Sequence, residues 1–367
     1  MEQYSGYWEN EMKRTPSSES VFSAEEYHRI LCPDVPDFLY RYMNLGILLR
    51  LDGIGLLCGS DWTPLFNNRF FYSRLDHSIG TALIVWNFTQ SKRETIAALL
   101  HDVSTPSFSH AVDFKNGDAL TQQSTENINR ILINQDEELN FVLKTDGLYQ
   151  YEVNDYHKYP VADNDMPHLS ADRLEYMYPS GGALNALWSL DEIKENYSHI
   201  KVCINEDGVK ELGFDSEKAA ATYAKKFADI SLLLQHNEDK VCLQLMAECL
   251  TRAIEYGFIE ENDLYLMSEK EMIDLFDEKC RKEVDQKFTR LYYTYRHMTK
   301  VIHSKEPMEN AFNLNLKVKK RYVNPLVVDV NGNIRGRIGQ LDESTARCIR
   351  EFLDFEDEPY GCVPWLK

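Results

Sequence analysis

Residues 96–110, IAALLHDVSTPSFSH, restrict what this chain can become more than any other stretch. The run Ile96-Ala97-Ala98-Leu99-Leu100 predicts a helix entering a core. It closes on two adjacent ionisable residues, His101 and Asp102, and the chain then breaks into a Ser/Thr/Pro turn that ends on His110. A polar pair at the end of a buried helix is costly unless something satisfies it. A divalent cation would satisfy both, because neutral imidazole and carboxylate together suit Zn, Mn, Fe or Ni. For the doublet alone the alternative is a last helical turn whose His and Asp simply face water.

A chain of 367 residues can bury the core of one large or two medium domains, and its 43% hydrophobic content is that of a folded globular protein. The formal net charge of −19 argues against a nucleic-acid partner, whose binding needs a basic stripe. It leaves room for a small anionic substrate, since one metal and one arginine can invert a local field. The eight cysteines are scattered with no C-x-x-C pair, which fits neither a zinc ribbon nor a redox motif. They are expected as small buried hydrophobes in a reducing, cytoplasmic setting. No apolar run is long enough to span a bilayer, and the opening MEQYSGYWENEMKR lacks a signal-peptide core, so no membrane partner is expected.

Residues 1–22 are polar and Ser-rich and read as a loosely held leader. Ser23-Ala24-Glu25-Glu26 has capping-box spacing and predicts a short helix toward Cys32. Pro36 opens a second helix, 36–51, with Leu39, Tyr42, Met43, Ile47 and Leu51 on one face. Further helices are predicted over 74–87, 94–100, 122–133, 137–143 and 169–178, the last capped by Ser170 and stopped by Pro179-Ser180-Gly181-Gly182. The polar, unpatterned stretch 145–167 reads as a long surface loop and a candidate lid. A helix over 190–197 precedes alternation over 200–214 around Glu206-Asp207-Gly208, which predicts a hairpin. Three long helices, 216–235, 238–256 and 269–303 (the last broken near Lys279), lead to strands KVKKRYV and PLVVDV. These turn at Asn331-Gly332-Asn333 into IRGRI, and a helix over 342–355 closes the chain. A composition shift near residue 260 divides a helical core, 23–260, from a C-terminal helical and β-hairpin region, 261–367. The expected class is mainly α, with small β-hairpins and a C-terminal α+β appendage.

Three predicted helices carry ionisable residues in apolar surroundings: His77 in the first, His101 and Asp102 at the end of the second, and Asp172 in the third. Two imidazoles and two carboxylates can hold one catalytic divalent metal and leave positions open to water and substrate. Arg74 lies three residues before His77, about one turn away on the same face, where a guanidinium can clamp a phosphate. The ordered motifs R-x-x-H-S-x-G (74–80), A-A-L-L-H-D-V-x-x-x-x-F-S-H (97–110) and D-R-L-x-Y (172–176) resemble the signature of HD-domain metal-dependent phosphohydrolases. Phe108-Ser109-His110 resembles the deoxynucleoside triphosphate triphosphohydrolase branch in particular, and a weaker likeness extends over 36–51 and 317–325. The resemblance implies an HD-domain helical core binding one divalent metal ion (Mn, Fe, Ni, Zn or Mg) through His77, His101, Asp102 and Asp172. It further implies that Arg74 and His110 face the phosphates or the nucleotide and that Tyr176 lines the substrate. In the expected reaction Asp102 orients the attacking water and Arg74 neutralises developing charge.

The departures from that pattern matter as much. Thr105 stands where the branch carries a histidine just after the doublet, Gln122-Gln123 replace a His-Glu pair, and Pro179-Ser180 replace an Arg-Asp. Neither Thr nor Gln can donate a proton near neutral pH as imidazole does. Glu175 and Glu126 are carboxylates that could act as bases but read more simply as surface or supporting groups. His157 and His168 read as solvated loop histidines. His110 and His168 do not occupy the helical contexts a second metal would need. The run Lys317, Lys319, Lys320, Arg321 reads as charge balance rather than an effector site, and Tyr292, Tyr293, Tyr295 and Phe288 read as helix packing. The expected function is metal-dependent hydrolysis of a nucleotide or other small phosphate ester, compatible with a homo-oligomer. The alternative is a catalytically weak or silent relative that binds a nucleotide as a sensor or scaffold, which the missing histidines favour.

Overall fold

The computed structural model describes residues 22–122, 124 and 126–366, so nearly all of the expected leader lies outside the described residues. Helix α1 (Ala24–Leu31) begins where the Ser23 side chain accepts the Glu26 N–H. The single helix expected over 36–51 is divided into α2 (Asp37–Met43) and α3 (Gly46–Leu49), because Asn44 and Leu45 leave the helical path; a 3₁₀ turn, Arg50–Gly53, follows. Helix α4 (Arg74–Thr89) opens on a capping box between Ser73 and Asp76. Every residue from Arg74 to Val85 is buried, so α4 is the central helix of the first core. Around it pack α1 and α5 (Lys92–Leu99). Helices α6 (His110–Lys115), α7 (Glu126–Gln135), α8 (Glu137–Thr145) and α9 (Gln150–Val153) follow, the last interrupting the stretch expected to be loop.

Helix α10 (Ala171–Asn185) also packs on α4 and corrects the sequence reading, for it runs straight through Pro179-Ser180-Gly181-Gly182. Proline cannot donate to the carbonyl four residues back. That carbonyl, on Glu175, instead accepts the buried hydroxyl of Tyr27 at 3.2 Å. The glycines are there for close packing: a Cβ at Gly181 would lie 2.7 Å from both Ile230 and Trp188. Helices α11 (Leu190–Ser198), α12 (Glu217–Leu233), α13 (Asn237–Glu255), α14 (Glu269–Arg281) and α15 (Gln286–His297) complete the main bundle. The last two are the helix expected over 269–303, whose break, expected near Lys279, falls at residues 282–285, where Asp285 caps α15.

The expected hairpin, β1 (Ile200–Ile204) with β2 (Lys210–Phe214), is present, and β2 pairs in parallel with β5 (Leu326–Val328), which pairs antiparallel with β6 (Ile334–Arg337). The strand expected from KVKKRYV does not form: its lysines reach out instead, Lys320 Nζ to the carbonyls of Leu353 and Phe355 and Lys319 Nζ to that of Thr121. A second sheet, β3 (Ile302–Ser304), β7 (Tyr360–Pro364) and β4 (Ala311–Leu314) in that order, was not foreseen. Its strands of three to five residues are too short for a periodic signal. Two helices, α16 (Ile338–Leu341) and α17 (Glu343–Asp354), precede β7. No described helix is long and apolar enough to cross a membrane.

Buried residues form two large clusters, one around α4, α5, α10 and α12 and one around α13, α14 and α15 with Phe108 and α6. One buried side chain ties the second cluster to the turn after His101-Asp102. The Glu269 carboxylate accepts the N–H groups of Gly55 and Phe108, both at 3.1 Å, and the Trp62 indole N–H at 2.7 Å. Burial nevertheless pushes its carboxyl up to about 8. The native chain therefore keeps a proton that the unfolded chain releases from about pH 4.5 upward, so this group's contribution to stability falls as pH rises toward 8 and is level above it. Thermal melts between pH 5 and pH 8 should show a smaller loss of Tm with rising pH in Glu269→Gln than in the parent chain. An unchanged slope would count against this assignment.

Candidate metal centre

The site is built where α4, the end of α5 and the start of α10 meet. Its geometry begins with hydrogen bonds made by the imidazole nitrogens that do not face the centre. His101 Nδ1 donates to the Ala98 carbonyl at 2.6 Å, which in a neutral ring leaves Nε2 as a bare lone pair. His77 Nδ1 donates to Glu175 Oε2 at 2.5 Å, which in a neutral ring does the same. The two Nε2 atoms lie 3.1 Å apart. Asp172 Oδ1 is 3.1 Å from His77 Nε2 and 3.7 Å from His101 Nε2, and Asp102 Oδ2 is 3.8 Å and 3.7 Å from the same two atoms. Among the described residues one donor atom each of His77, His101 and Asp102 lies within 4.8 Å of the others, and Asp172 flanks the two rings; lone pairs and carboxylate oxygens so placed repel unless a cation joins them, which fits a divalent metal. With protons alone, burial opposes charge on His77, but Glu175 and Asp172 overcome it and push its pKa up to about 10. A metal bound there would take the place of that proton.

The carboxylates are held ionised against the same burial. Arg74, His101 and His77 keep Asp102 well below the usual carboxylate range, while His77 and His101 hold Asp172 down to about 2. Asp102 Oδ2 accepts Arg74 Nη1 at 2.9 Å and its Oδ1 accepts the Thr105 hydroxyl at 3.0 Å. The threonine that replaces the expected histidine is thus a clamp on Asp102. Arg50 fixes the same turn by donating to the carbonyls of Val103 (3.0 Å) and Thr105 (2.7 Å). Arg74 shares the His77 face as expected, and its Nε has no partner among the described residues.

The remaining residues singled out from the sequence are placed as follows. His110 opens α6 after Phe108 and Ser109, two non-glycine residues at φ of 64° and 46°, a conformation that costs ~1–3 kcal/mol each and gathers at functional sites. His110 Nδ1 lies 2.9 Å from Asp113 Oδ2. Burial lowers its pKa, with Arg321 and Arg74 acting in the same direction against Asp113. The Tyr176 ring is 6.3 Å from that of His77, and its buried hydroxyl has no partner among the described residues. His157 is exposed and bonded to Asp163, and Tyr292 is buried in packing. The Glu126 side chain and Gln123 lie outside the described residues.

Two features escaped the sequence reading, Tyr156 and Arg321, and a third, Glu175, was left between two readings. Glu175, read as surface or supporting, is fully buried and takes the Tyr72 hydroxyl at 2.7 Å in addition to His77. It explains the glycine of R-x-x-H-S-x-G, since any Cβ at Gly80 would collide with its carboxylate. Tyr156, from the expected lid, lies against His101 with ring centroids 5.0 Å apart and planes tilted by 43°. Arg321, the last residue of the basic run, is half-buried and its charge is felt by both His110 and Tyr176. Only Glu175 had a signal, a carboxylate one turn after Asp172 on the same face.

No protein-family model matches the chain. Curated relatives include the uncharacterized protein YdhJ of Bacillus subtilis, 28% identical over 240 residues, which are 62% of this chain and 68% of that protein. The metal-dependent phosphohydrolase cns2 of Cordyceps militaris is 21% identical over 224 residues, 60% of this chain and 63% of its own length. The chain thus spans about two thirds of the length of these relatives. Among solved structures, a phosphohydrolase from Bacteroides thetaiotaomicron has a similar fold, with a TM-score of 0.60 at 14% identity, covering 90% of this chain and 97% of that one. A hypothetical protein from Aquifex aeolicus matches at a TM-score of 0.60 and 14% identity over 89% and 92%.

If Glu175 orients His77 for a metal, Glu175→Gln should weaken metal binding by about 10–100-fold. Direct titration of the chelator-stripped protein checks this; equal affinity in a folded variant would show that Glu175 serves packing alone.

Proposed function

We propose that the chain is a member of the HD-domain phosphohydrolase superfamily and a metal-dependent phosphohydrolase of a nucleotide or other small phosphate ester. One divalent metal is held by His77, His101, Asp102 and Asp172. The observation that carries this is the pair of Nε2 atoms 3.1 Å apart, each with its other nitrogen committed to an acceptor. A divalent ion there supplies Lewis acidity and water activation. The chain supplies the rest. Arg74, anchored to Asp102 by Nη1, has an unpartnered Nε to receive a phosphate oxygen and offset the charge that develops on it. Asp102 orients the attacking water. Tyr176 contributes an unpartnered hydroxyl to the substrate, and His110, held by Asp113 through Nδ1, contributes its second ring nitrogen. A nucleotide substrate, a likeness to the deoxynucleoside triphosphate branch and a cytoplasmic setting belong to the same proposal.

A second reading, a nucleotide-binding sensor or scaffold with weak or no turnover, is favoured by one specific observation. Thr105 occupies the place of the proton-transferring histidine and its hydroxyl is spent on Asp102. A phosphate-release screen over dNTPs, nucleoside monophosphates and phosphomonoesters, with Mn, Fe, Ni, Zn and Mg in turn, separates the two. Turnover with at least one pairing is expected; nucleotide binding without turnover under any metal would establish the sensor. Asp102→Ala should lose both bound metal and activity, and a variant with full metal content would remove the proposed site.

A further inference from the structure

The irregular segment 317–324 crosses from one buried cluster to the other. Val318 packs in the second cluster and Val323, 1% exposed, in the first. Near its start, the Lys319 carbonyl accepts Gln235 Nε2 at 3.0 Å from the junction of α12 and α13, and Lys319 Nζ reaches the Thr121 carbonyl beyond α6. At its end, the Asn324 N–H donates to the Pro167 carbonyl at 2.8 Å, just before α10, and the Asn324 carbonyl accepts Arg337 Nη1 at 3.0 Å. Arg321 lies between these anchors. The helices they adjoin, α6 and α10, carry His110 and Tyr176.

The basic residues around Arg321 are spent. Lys317 pairs with Glu356 at 3.0 Å, Lys319 serves Thr121, and Lys320 caps the Leu353 and Phe355 carbonyls. The Arg321 side chain, by contrast, is half-buried and has no hydrogen-bond or ion-pair partner among the described residues. A guanidinium has only donors, so partial burial without an acceptor is costly until an anion meets it. Asp239, in the first turn of α13, feels this charge without pairing to it: burial pushes the Asp239 carboxyl up to about 7 against the opposing Lys240 and Arg321. Burial raises the Tyr176 hydroxyl to about 12, with Arg321 foremost among the charges that oppose it. Arg321 and Arg74 both act on His110, Arg74 from beside Asp102 and Arg321 from the crossing segment. Given a phosphohydrolase centre at Asp102, on which this inference rests, we propose that Arg321 is a substrate-binding residue that receives a second, non-reacting phosphate of the substrate while the reacting phosphate lies at Arg74. The planar fork of arginine can take two phosphate oxygens at once, which the point charge of a lysine cannot. The substrate class this selects is a di- or triphosphate ester rather than a simple monoester. The C-terminal region thereby completes a site whose other residues come from α4, the turn after α5, α6 and α10.

Calorimetric titration of the Mn²⁺-loaded full chain with inorganic tripolyphosphate and with orthophosphate, at constant free Mn²⁺, tests this. The parent chain should bind tripolyphosphate at least about tenfold more tightly than orthophosphate. Arg321→Gln should weaken tripolyphosphate binding by about 10–100-fold and orthophosphate binding by less than about twofold, with Mn²⁺ content unchanged. Arg321→Lys keeps the charge and loses the fork; it should fall between the two and answers the question if Arg321→Gln fails to fold. With a nucleoside triphosphate as substrate, Arg321→Gln should raise KM and leave kcat within about threefold, a split that a merely structural role would not produce. Unchanged tripolyphosphate affinity in either folded variant, or a loss shared equally by orthophosphate, would overturn the assignment. Absence of turnover with every metal would end the phosphohydrolase reading, whereas the tripolyphosphate titration reports on Arg321 without turnover, so the two failures are distinct.

Discussion

The buried carboxylate of Glu175 is the interaction on which the rest of the arrangement depends. It sits at full burial inside the first core and orients His77 through Nδ1 while receiving the Tyr72 hydroxyl. Burial raises its pKa and the neighbouring His77 charge lowers it, so neither group is stable there alone. Breaking such a buried pair by removing one partner costs about 3–5 kcal/mol, because an uncompensated charge stays behind. The core is shaped to keep the pair. Gly80 leaves the space the carboxylate fills, and Tyr27 satisfies the Glu175 carbonyl that Pro179 cannot serve. One residue thereby couples the path of α10, the tautomer of His77 and the register of α4 against α10.

From that anchor the chemistry follows in steps. His77 and His101 are each fixed by a bond on the far side of the ring, and Asp102 is fixed by Arg74 and Thr105. The turn behind them is held by Arg50 and, through Phe108, by Glu269 of the second cluster. Rigid elements and side chains locked by their neighbours are what positional tolerance at a metal demands. The two buried clusters are therefore mechanically joined at the site rather than merely adjacent.

Much of this was legible in the sequence, and the limits have physical causes. The burial of α4 follows from its apolar helical run, and the grouping of His77, His101, Asp102 and Asp172 was implied by ionisable residues in such runs together with the resemblance to HD-domain phosphohydrolases. The passage of α10 through Pro179 was not legible, because a hydroxyl 148 positions away in sequence replaces the lost donor. The second sheet escaped for the reason its short strands give, and KVKKRYV misled because its alternation serves lysines that cap carbonyls rather than a ladder. Glu175 was visible only as one of two readings; what decided between them was Gly80, whose role needs three dimensions.

The central claim is that four side chains, from α4, the turn after α5 and α10, hold one divalent ion. Anomalous diffraction from crystals grown with Mn²⁺, recorded at a wavelength that identifies the element, tests it most directly. The account predicts a peak equidistant from His77 Nε2, His101 Nε2, Asp102 and Asp172, with Glu175 still bonded to His77. A metal-free centre in which His77 and Asp172 remain in direct contact under saturating Mn²⁺ would contradict it.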